Sequence, residues 1–288
     1  MKVAVPTSLD DAVRLLADHP DAMLLAGGTD AMVEINDGHR RPDDLVIALN
    51  RVGDLRAWRH DADAATLTIG AGVTYTELMQ EPLASLVPAL AEASRTVGSP
   101  QIRNAGTLGG NLGTCSPAGD GLPVLSALDA DVRIVSAGGE RIVPVHDVMV
   151  GVKQTSLQPG EMIADITVPI RTGWQGYAKV GVRNAMVIAV ASACLAVDVD
   201  NRAVAIALGS VGPTIIRCST AGTQLAEAVA WETGSVSAAA LDSLAAAVSA
   251  ESRPITDHRS TAEYRRHAVG VLARRLARRA FSVEEVAA

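Results

Sequence analysis

VGSPQIRNAGTLGGNLGTCSPAGD, running from Val97 to Asp120, carries Gly98, Gly106, Gly109, Gly110, Gly113 and Gly119. Small hydroxyl and amide side chains sit between them: Thr107, Asn111, Thr114 and Ser116. Glycine tolerates φ > 0 and lets another molecule reach the main chain. Successive N–H groups in such a loop can converge on one anion. Asp120 is the stretch's only carboxylate, and it can accept from a sugar hydroxyl or a ring N–H. Taken alone, the stretch reads equally well as a glycine-rich turn between two core elements.

A second glycine stretch lies upstream. LLAGGTDAMVEINDG spans Leu24 to Gly38. Met23–Ala26 reads as a buried strand and Gly27-Gly28 as a tight turn. Thr29 reads as the cap of a helix with Ala31, Met32 and Ile35 on one side, and Gly38 as its C′ residue. A strand, a glycine turn and a helix N-terminus together suit an anion. Neither GxGxxG nor GK[ST] is present, which sets aside the Rossmann and P-loop nucleotide motifs. Two phosphate-type loops of different kinds suggest one extended diphosphate ligand held between two lobes.

These motifs carry a specific resemblance. AGGTD at 26–30, IGAGVTYTEL at 69–78, PQIRNAGTLGGN at 100–111 and SPAGD at 116–120 resemble the FAD-binding subunit of the molybdenum hydroxylases. That family includes xanthine dehydrogenase, aldehyde oxidase and aerobic carbon monoxide dehydrogenase. GEMIADITVP at 160–169, YAKVGVRNAMVIAVA at 177–191 and AEYRRHAVGVLARR at 262–275 extend the likeness over nearly the whole chain. INDGHRRPDDLVIALNRVGDL at 35–55 and VGSPQIRN resemble bacterial xanthine-dehydrogenase-type medium subunits in particular.

The resemblance implies an α+β fold. A two-lobed FAD-binding domain of the vanillyl-alcohol-oxidase-like (PCMH) type would be followed by a three-stranded antiparallel sheet with helices. The expected division is lobe 1 at 1–55, a small βαβ unit; lobe 2 at 56–172; and the C-terminal domain at 173–288. FAD is the implied cofactor. Leu25, Ala26, Gly27, Gly28, Thr29, Asp30 and Ala31 would border its diphosphate from the first stretch. Gly110, Asn111, Gly113 and Thr114 would line it from the second, with the Thr107 hydroxyl reaching the phosphate or the ribityl chain; Val97, Gly98, Ile102, Gly106, Gly119 and Asp120 would also contact the cofactor, Val97 at the flavin ring. Asp30 is open between an adenosine contact and a favourable charge at a helix N-terminus. Asp120 reads as a cofactor contact ahead of a simple helix cap. Val97 replaces an aromatic of animal members, which keeps packing but removes stacking. Ile163 and Ile188 match positions beside the flavin ring. Lys179 matches a lysine at the ring's pyrimidine end, where an ammonium favours electron uptake.

Composition agrees with this outline. The chain has 288 residues, 48% hydrophobic and only 2% aromatic, so Ala, Val, Leu and Ile must build the core. A net charge of −7 argues against a nucleic-acid surface. No apolar run approaches the ~20 residues of a membrane span. The N-terminus lacks a signal-peptide apolar region, so a cytoplasmic protein is expected. Cys115, Cys194 and Cys218 are too sparse for a cluster of this chain's own, and no metal site is expected. Cys115 reads as a packing residue, not a nucleophile. His39, Arg40 and Arg41 form a basic spot. Arg265, Arg266, Arg274, Arg275, Arg278 and Arg279 read as a solvated or partner-docking face of the last helix.

By resemblance, a large partner subunit holds the molybdenum cofactor and a small one holds two [2Fe–2S] clusters. This chain's FAD passes their electrons to NAD or another acceptor, and no side chain need act as acid, base or nucleophile. A stand-alone flavin oxidase would require a substrate-covering domain. A regulatory nucleotide-binding module would leave Ile163, Lys179 and Ile188 without a purpose.

Overall fold

Three larger sheets follow one another along the described residues, with two two-stranded pairs beside them. The computed structural model describes residues 2–39 and 45–284. Arg40 and Arg41 of the basic spot therefore lie outside the described residues.

The first sheet is parallel, in the order β1 (Lys2–Ala4), β3 (Leu45–Ala48), β2 (Met23–Leu25). Helix α1 (Leu9–Asp18) connects β1 to β2, and Ser8 caps it by accepting from the Asp11 N–H at 3.1 Å. Ala12 and Leu16, one helical turn apart, bury against the sheet. β1 was not legible as a strand: it has only three residues and Val3 is 55% exposed. Helix α2 (Ala31–Asn36) starts one residue later than expected, with Asp30 at its cap position and no side-chain capping bond. Thr29 therefore does not cap it. Gly38, at φ +73°, closes it as anticipated.

The second sheet has the order β4 (Trp58–Asp61), β5 (Thr66–Gly70), β10 (Met162–Pro169), β6 (Asp131–Ser136), β7 (Gly139–Pro144), all antiparallel. Leu67, Ile69, Val132, Ile134, Ile166 and Val168 alternate inward and are fully buried. Thr74 followed three residues later by Glu77 is a capping-box pattern, and helix α3 (Tyr75–Leu78) begins with that box. The spacing of Leu83, Leu86, Val87, Leu90 and Ala91 predicts one helix over 83–96, but the structure has two, α4 (Leu83–Leu86) and α5 (Pro88–Thr96). Pro88 is tolerated only in a first turn, so it restarts the helix. Residues 97–120 are not an open loop. They contain α6 (Pro100–Ala105) and α7 (Leu108–Thr114) before the buried helix α8 (Gly121–Ala127). Helix α9 (Val145–Val148) and the hairpin β8 (Met149–Gly151) with β9 (Gln154–Thr155) complete this part.

The third sheet is antiparallel: β11 (Gln175–Val180), β12 (Ala191–Asp198), β13 (Ala203–Gly209), β14 (Ile216–Arg217). The fourth strand has two residues, too few to alternate visibly in sequence. The apolar run predicts a strand over Ile188–Val197; β12 begins three residues later, at Ala191. Helices α10 (Ser219–Ala228), α11 (Ala238–Glu251) and α12 (Ala262–Ala280) cover one face, and the short parallel pair β15 (Ser235–Ser237) and β16 (Ser282–Glu284) ties the end of α12 back. α8 packs against β12, β13 and α5 and so carries the core from the second sheet to the third.

Ion pairs cross the same boundary. Arg171, just after β10, bonds Asp198 and Asp129, and Asp129 also receives Arg217. Glu92 on α5 accepts the Tyr177 N–H at 2.8 Å and the Arg279 guanidinium, which stands 5.0 Å over the Trp174 ring.

The last helix corrects one expectation. Arg265 is not solvated but 4% exposed. It donates to the Val190 and Ser210 carbonyls at 3.0 and 2.8 Å and to Asp257 at 2.6 Å. Arg274 pairs with Asp242 and Arg279 with Glu92, whereas Arg266, Arg275 and Arg278 are exposed as expected. Against the upward push of burial, N–H bonds from Arg259 and Ser260 and the Arg265 guanidinium hold the Asp257 carboxyl down at about 2. A carboxyl depressed in the fold contributes stability that is complete above its unfolded pKa, about 3.9, and lost as pH falls through the folded value. Asp257→Asn should therefore unfold at lower urea than wild type at neutral pH. That gap should narrow as pH falls below about 4; a gap unchanged down to the acid limit would refute the assignment.

Candidate functional site

The two glycine stretches meet. A Cβ on Gly27 would fall 1.8 Å from the Ala105 carbonyl oxygen and 3.0 Å from the Gly106 Cα. One on Gly110 would lie 3.8 Å from the Ala26 Cβ. The turn after β2 thus rests directly on the α6–α7 connection, main chain against main chain. Gly28 sits at φ +69°, a left-handed turn that glycine allows. Among the described residues, the N–H groups of Gly27, Gly28, Thr29 and Asp30 donate to nothing. A row of unspent main-chain donors ahead of a helix suits an anionic group.

The second stretch is built differently from a donor nest. The N–H groups of Leu108 and Gly109 go to the carbonyls of Val73 and Ala71, at 3.0 and 2.9 Å. That of Gly110 goes to the Thr107 hydroxyl oxygen at 2.9 Å, and that of Asn111 to the Thr107 carbonyl at 3.0 Å. Thr107 is therefore the cap of α7, with its hydroxyl hydrogen still free to donate. Its glycines serve close approach: a Cβ on Gly109 would meet Ala71 at 2.4 Å, and one on Gly119 would meet the Asn111 amide at 2.6 Å. The Asn111 Oδ1 accepts the Gly121 N–H at 3.2 Å, which pins the SPAGD turn to α7. A Cβ on Gly113 would meet nothing within 4 Å, so open space lies beside that turn of α7. Thr114 is half-buried near the same end.

Val97 and Gly98 lead into α6, half-buried, and their carbonyls accept from Arg103 at 2.9 and 3.0 Å. Gly98 adopts φ +41°, and Ile102 folds back against it. Leu25, Ala26 and Ala31 are half-buried around the first turn. Asp30 is exposed and faces Lys153 at 3.5 Å; the same ammonium reaches Glu34 at 2.5 Å. Lys153 lies between β8 and β9, so these pairs tie the first helix after β2 to the far hairpin.

Asp120 anchors a buried polar cluster. Lys179 Nζ donates to Asp120 Oδ2 at 2.6 Å, to the Thr96 carbonyl at 2.9 Å and to the Val187 carbonyl at 3.1 Å. Both side chains of the pair are 8% exposed. The Tyr177 hydroxyl donates to Asp120 Oδ1 at 2.7 Å, and Thr96 Oγ1 lies 3.5 Å from Oδ2. Asp120 occupies the cap position of α8 but makes no capping bond, so the helix-cap alternative does not describe it. Burial pushes the Asp120 carboxyl up, and Lys179 acts against that push. Burial, with the Asp120 charge second, raises the phenols of Tyr177 and Tyr75.

Ile163 is 7% exposed on β10 beside a break in register, whereas Ile188 is 53% exposed on the segment before β12. The structure does not bring these two into one buried surface. Cys115 ends α7 at φ +50°, 2% exposed, and burial raises its thiol. Among the described residues, no cation acts on it to favour a thiolate, which fits packing. Among the described residues, no group of three or more His, Cys, Asp or Glu could hold a metal ion. No described helix is long and apolar enough to cross a membrane.

Comparison with known proteins matches residues 1–171 to the FAD binding domain in molybdopterin dehydrogenase, and 177–280 to the CO dehydrogenase flavoprotein C-terminal domain. The chain is a FAD-binding medium subunit of the molybdenum hydroxylase family. Its relatives include the nicotinate dehydrogenase FAD-subunit of Eubacterium barkeri, 36% identical over 69% of each chain. The carbon monoxide dehydrogenase medium chain of Afipia carboxidovorans is 31% identical over 96% of this chain and 94% of its own. A solved structure of reconstituted CO dehydrogenase from Oligotropha carboxidovorans superposes with a TM-score of 0.86 at 29% identity, covering 97% of both chains. As a medium subunit of this family, the protein belongs to an oxidoreductase and takes FAD as its cofactor. The unspent donors at 27–30 and the space beside Gly113 fit that group.

Sequence reasoning missed Tyr177, Thr96 and Lys153. Tyr177 had a visible signal: it stands two residues before Lys179 in a strand, hence on the same face. Lys153 had none, since its partners lie more than a hundred positions away.

Proposed function

We propose that this medium subunit collects electrons from the [2Fe–2S] clusters of a small partner subunit and passes them to NAD or another acceptor. A third, larger subunit would hold the molybdenum cofactor and the organic substrate, giving a heterotrimer. The observation that carries this reading is the junction of the two glycine stretches, with its row of free N–H groups, in a chain of this family.

When bound, FAD supplies a carrier that takes up two electrons and releases them; the protein's share is position and electrostatics. The N–H groups of 27–30 would hold the diphosphate. The absence of a side chain at Gly27 lets the two walls meet main chain to main chain, so the main chain rather than side chains shapes the cleft. Thr107 has one hydroxyl hydrogen left to donate toward the phosphate or ribityl chain. Asp120 and Lys179 would border the flavin ring, with Ile163 as packing behind them. No residue is required to move a proton.

Purification of the tagged chain from its native host tests this reading. Flavin and iron–sulfur absorption together with two accompanying chains are expected. FAD alone, bleached directly by a small organic substrate, would favour a stand-alone oxidase. A chain that neither carries FAD nor takes it up would refute the reading.

A further inference from the structure

The Lys179 ammonium has three hydrogens to donate, and all three are spent: on Asp120, on the Thr96 carbonyl and on the Val187 carbonyl. It therefore has no hydrogen left for a flavin in this arrangement, and its charge is opposed by a carboxylate at 2.6 Å. Asp120 in turn is fixed from its other oxygen by the Tyr177 hydroxyl at 2.7 Å. Tyr177 is 4% exposed, its ring lies in the core, and its main-chain N–H is held by Glu92. It has little freedom to leave.

We propose that Tyr177 is a positioning residue for the flavin: it fixes the Asp120 carboxylate, which sets how much of the Lys179 positive charge reaches the flavin. The inference rests on the reading of the cleft as the FAD site. Electron uptake adds negative charge to the flavin, so a nearby uncompensated cation favours it, and a compensated one favours it less. Asp120 is the compensating group. The hydroxyl of Tyr177 donates to the charged form of Asp120 and favours that form. Removing this donor while keeping the ring leaves a deeply buried carboxyl, already pushed up by burial, with less reason to stay ionised. A protonated Asp120 no longer offsets Lys179.

The groups facing Asp120 are few. Lys179 and Tyr177 come from β11, Thr96 from the end of α5, and the Tyr75 phenol from α3. Glu92 and Cys194 stand behind Tyr177 on α5 and β12. Burial pushes both phenols up, away from ionisation.

The test is the midpoint potential of the bound flavin, measured spectroelectrochemically on the full chain with any accompanying subunits. Wild type, Tyr177→Phe, Asp120→Asn and Lys179→Met are compared at neutral pH, with FAD affinity measured by titration of the cofactor-stripped protein. Asp120→Asn and Tyr177→Phe should move the potential positive, the former by more, and Lys179→Met should move it negative. The Tyr177→Phe shift should shrink as pH rises and Asp120 ionises again. FAD affinity of Tyr177→Phe should stay within a few-fold of wild type.

A Tyr177→Phe potential equal to wild type, with Lys179→Met displaced, overturns the role of Tyr177. No displacement in any variant, with FAD bound normally, places the flavin ring away from Lys179 and overturns the proposal while sparing the FAD reading. Failure of wild type itself to bind FAD overturns both. A Tyr177→Phe chain that loses its fold is replaced by Asp120→Asn, whose unchanged or negative shift likewise overturns the proposal.

Discussion

Lys179→Met is expected to cost the folded chain about 3–5 kcal/mol at neutral pH, the range for removing one partner of a buried ion pair. Methionine keeps most of the side chain's length and apolar stem. What it removes is the charge that Asp120 faces at 2.6 Å, where both side chains are 8% exposed. The carboxyl left behind keeps the Tyr177 hydroxyl but is driven further up by burial. A group raised in the fold stabilises below its unfolded pKa and loses that contribution as pH rises through the folded value. The gap between wild type and variant should therefore widen from about pH 4 toward neutrality. Urea unfolding across that interval, with Asp120→Asn/Lys179→Met as the closing corner of a double-mutant cycle, measures it. A loss under about 1 kcal/mol, the usual worth of an exposed pair, would show that the pair is solvated in the working protein.

Gly27→Ala should nearly abolish FAD retention. The added carbon would lie 1.8 Å from a main-chain oxygen and 2.5 Å from its carbon. No rotamer relieves a clash between main chains, so the turn after β2 must lift away from α6. The cost should reach the upper end of the overpacking range of about 1–3 kcal/mol, and the donors at 27–30 would leave their place as the turn lifts. A fall in FAD affinity of at least about tenfold follows if 1.4 kcal/mol of it falls on binding. Gly113→Ala is the contrast. It has open space and sits within a helix, where alanine is favoured over glycine, so stability should hold or rise. A loss of FAD affinity there without loss of stability would mark the cofactor's path. Wild-type affinity in Gly27→Ala would show that the two stretches do not form one site.

Much of this was legible because it was local. The Ser8 cap, the Thr74–Glu77 box, the alternation of β5 and β13 and the αL closure at Gly38 each depend on residues within a few positions of one another. The 97–120 stretch differs in form from what its sequence suggests. Its glycines suggested loop, yet six- and seven-residue helices form there because Ser99 and Thr107 cap them and their surroundings accept the close approach. Propensity gave way to tertiary contact. Ile188 reads as strand because apolar residues run on without a break into β12. Only the fold shows that pairing begins at Ala191. Arg265 could not be told from its arginine neighbours, since its partners come from 8 to 75 positions away.

The polar cluster is split between the two matched regions: Asp120 and Thr96 belong to the first, Tyr177 and Lys179 to the second. Each region alone would carry half of a buried ion pair. Modular exchange between medium subunits, in which one relative's C-terminal region is grafted onto another's flavin lobes, is therefore constrained most sharply at the most deeply buried of the ion pairs that cross the boundary. A graft that supplies an apolar residue at position 179 would strand a carboxyl in the core of its host, however well the helices and sheets fit.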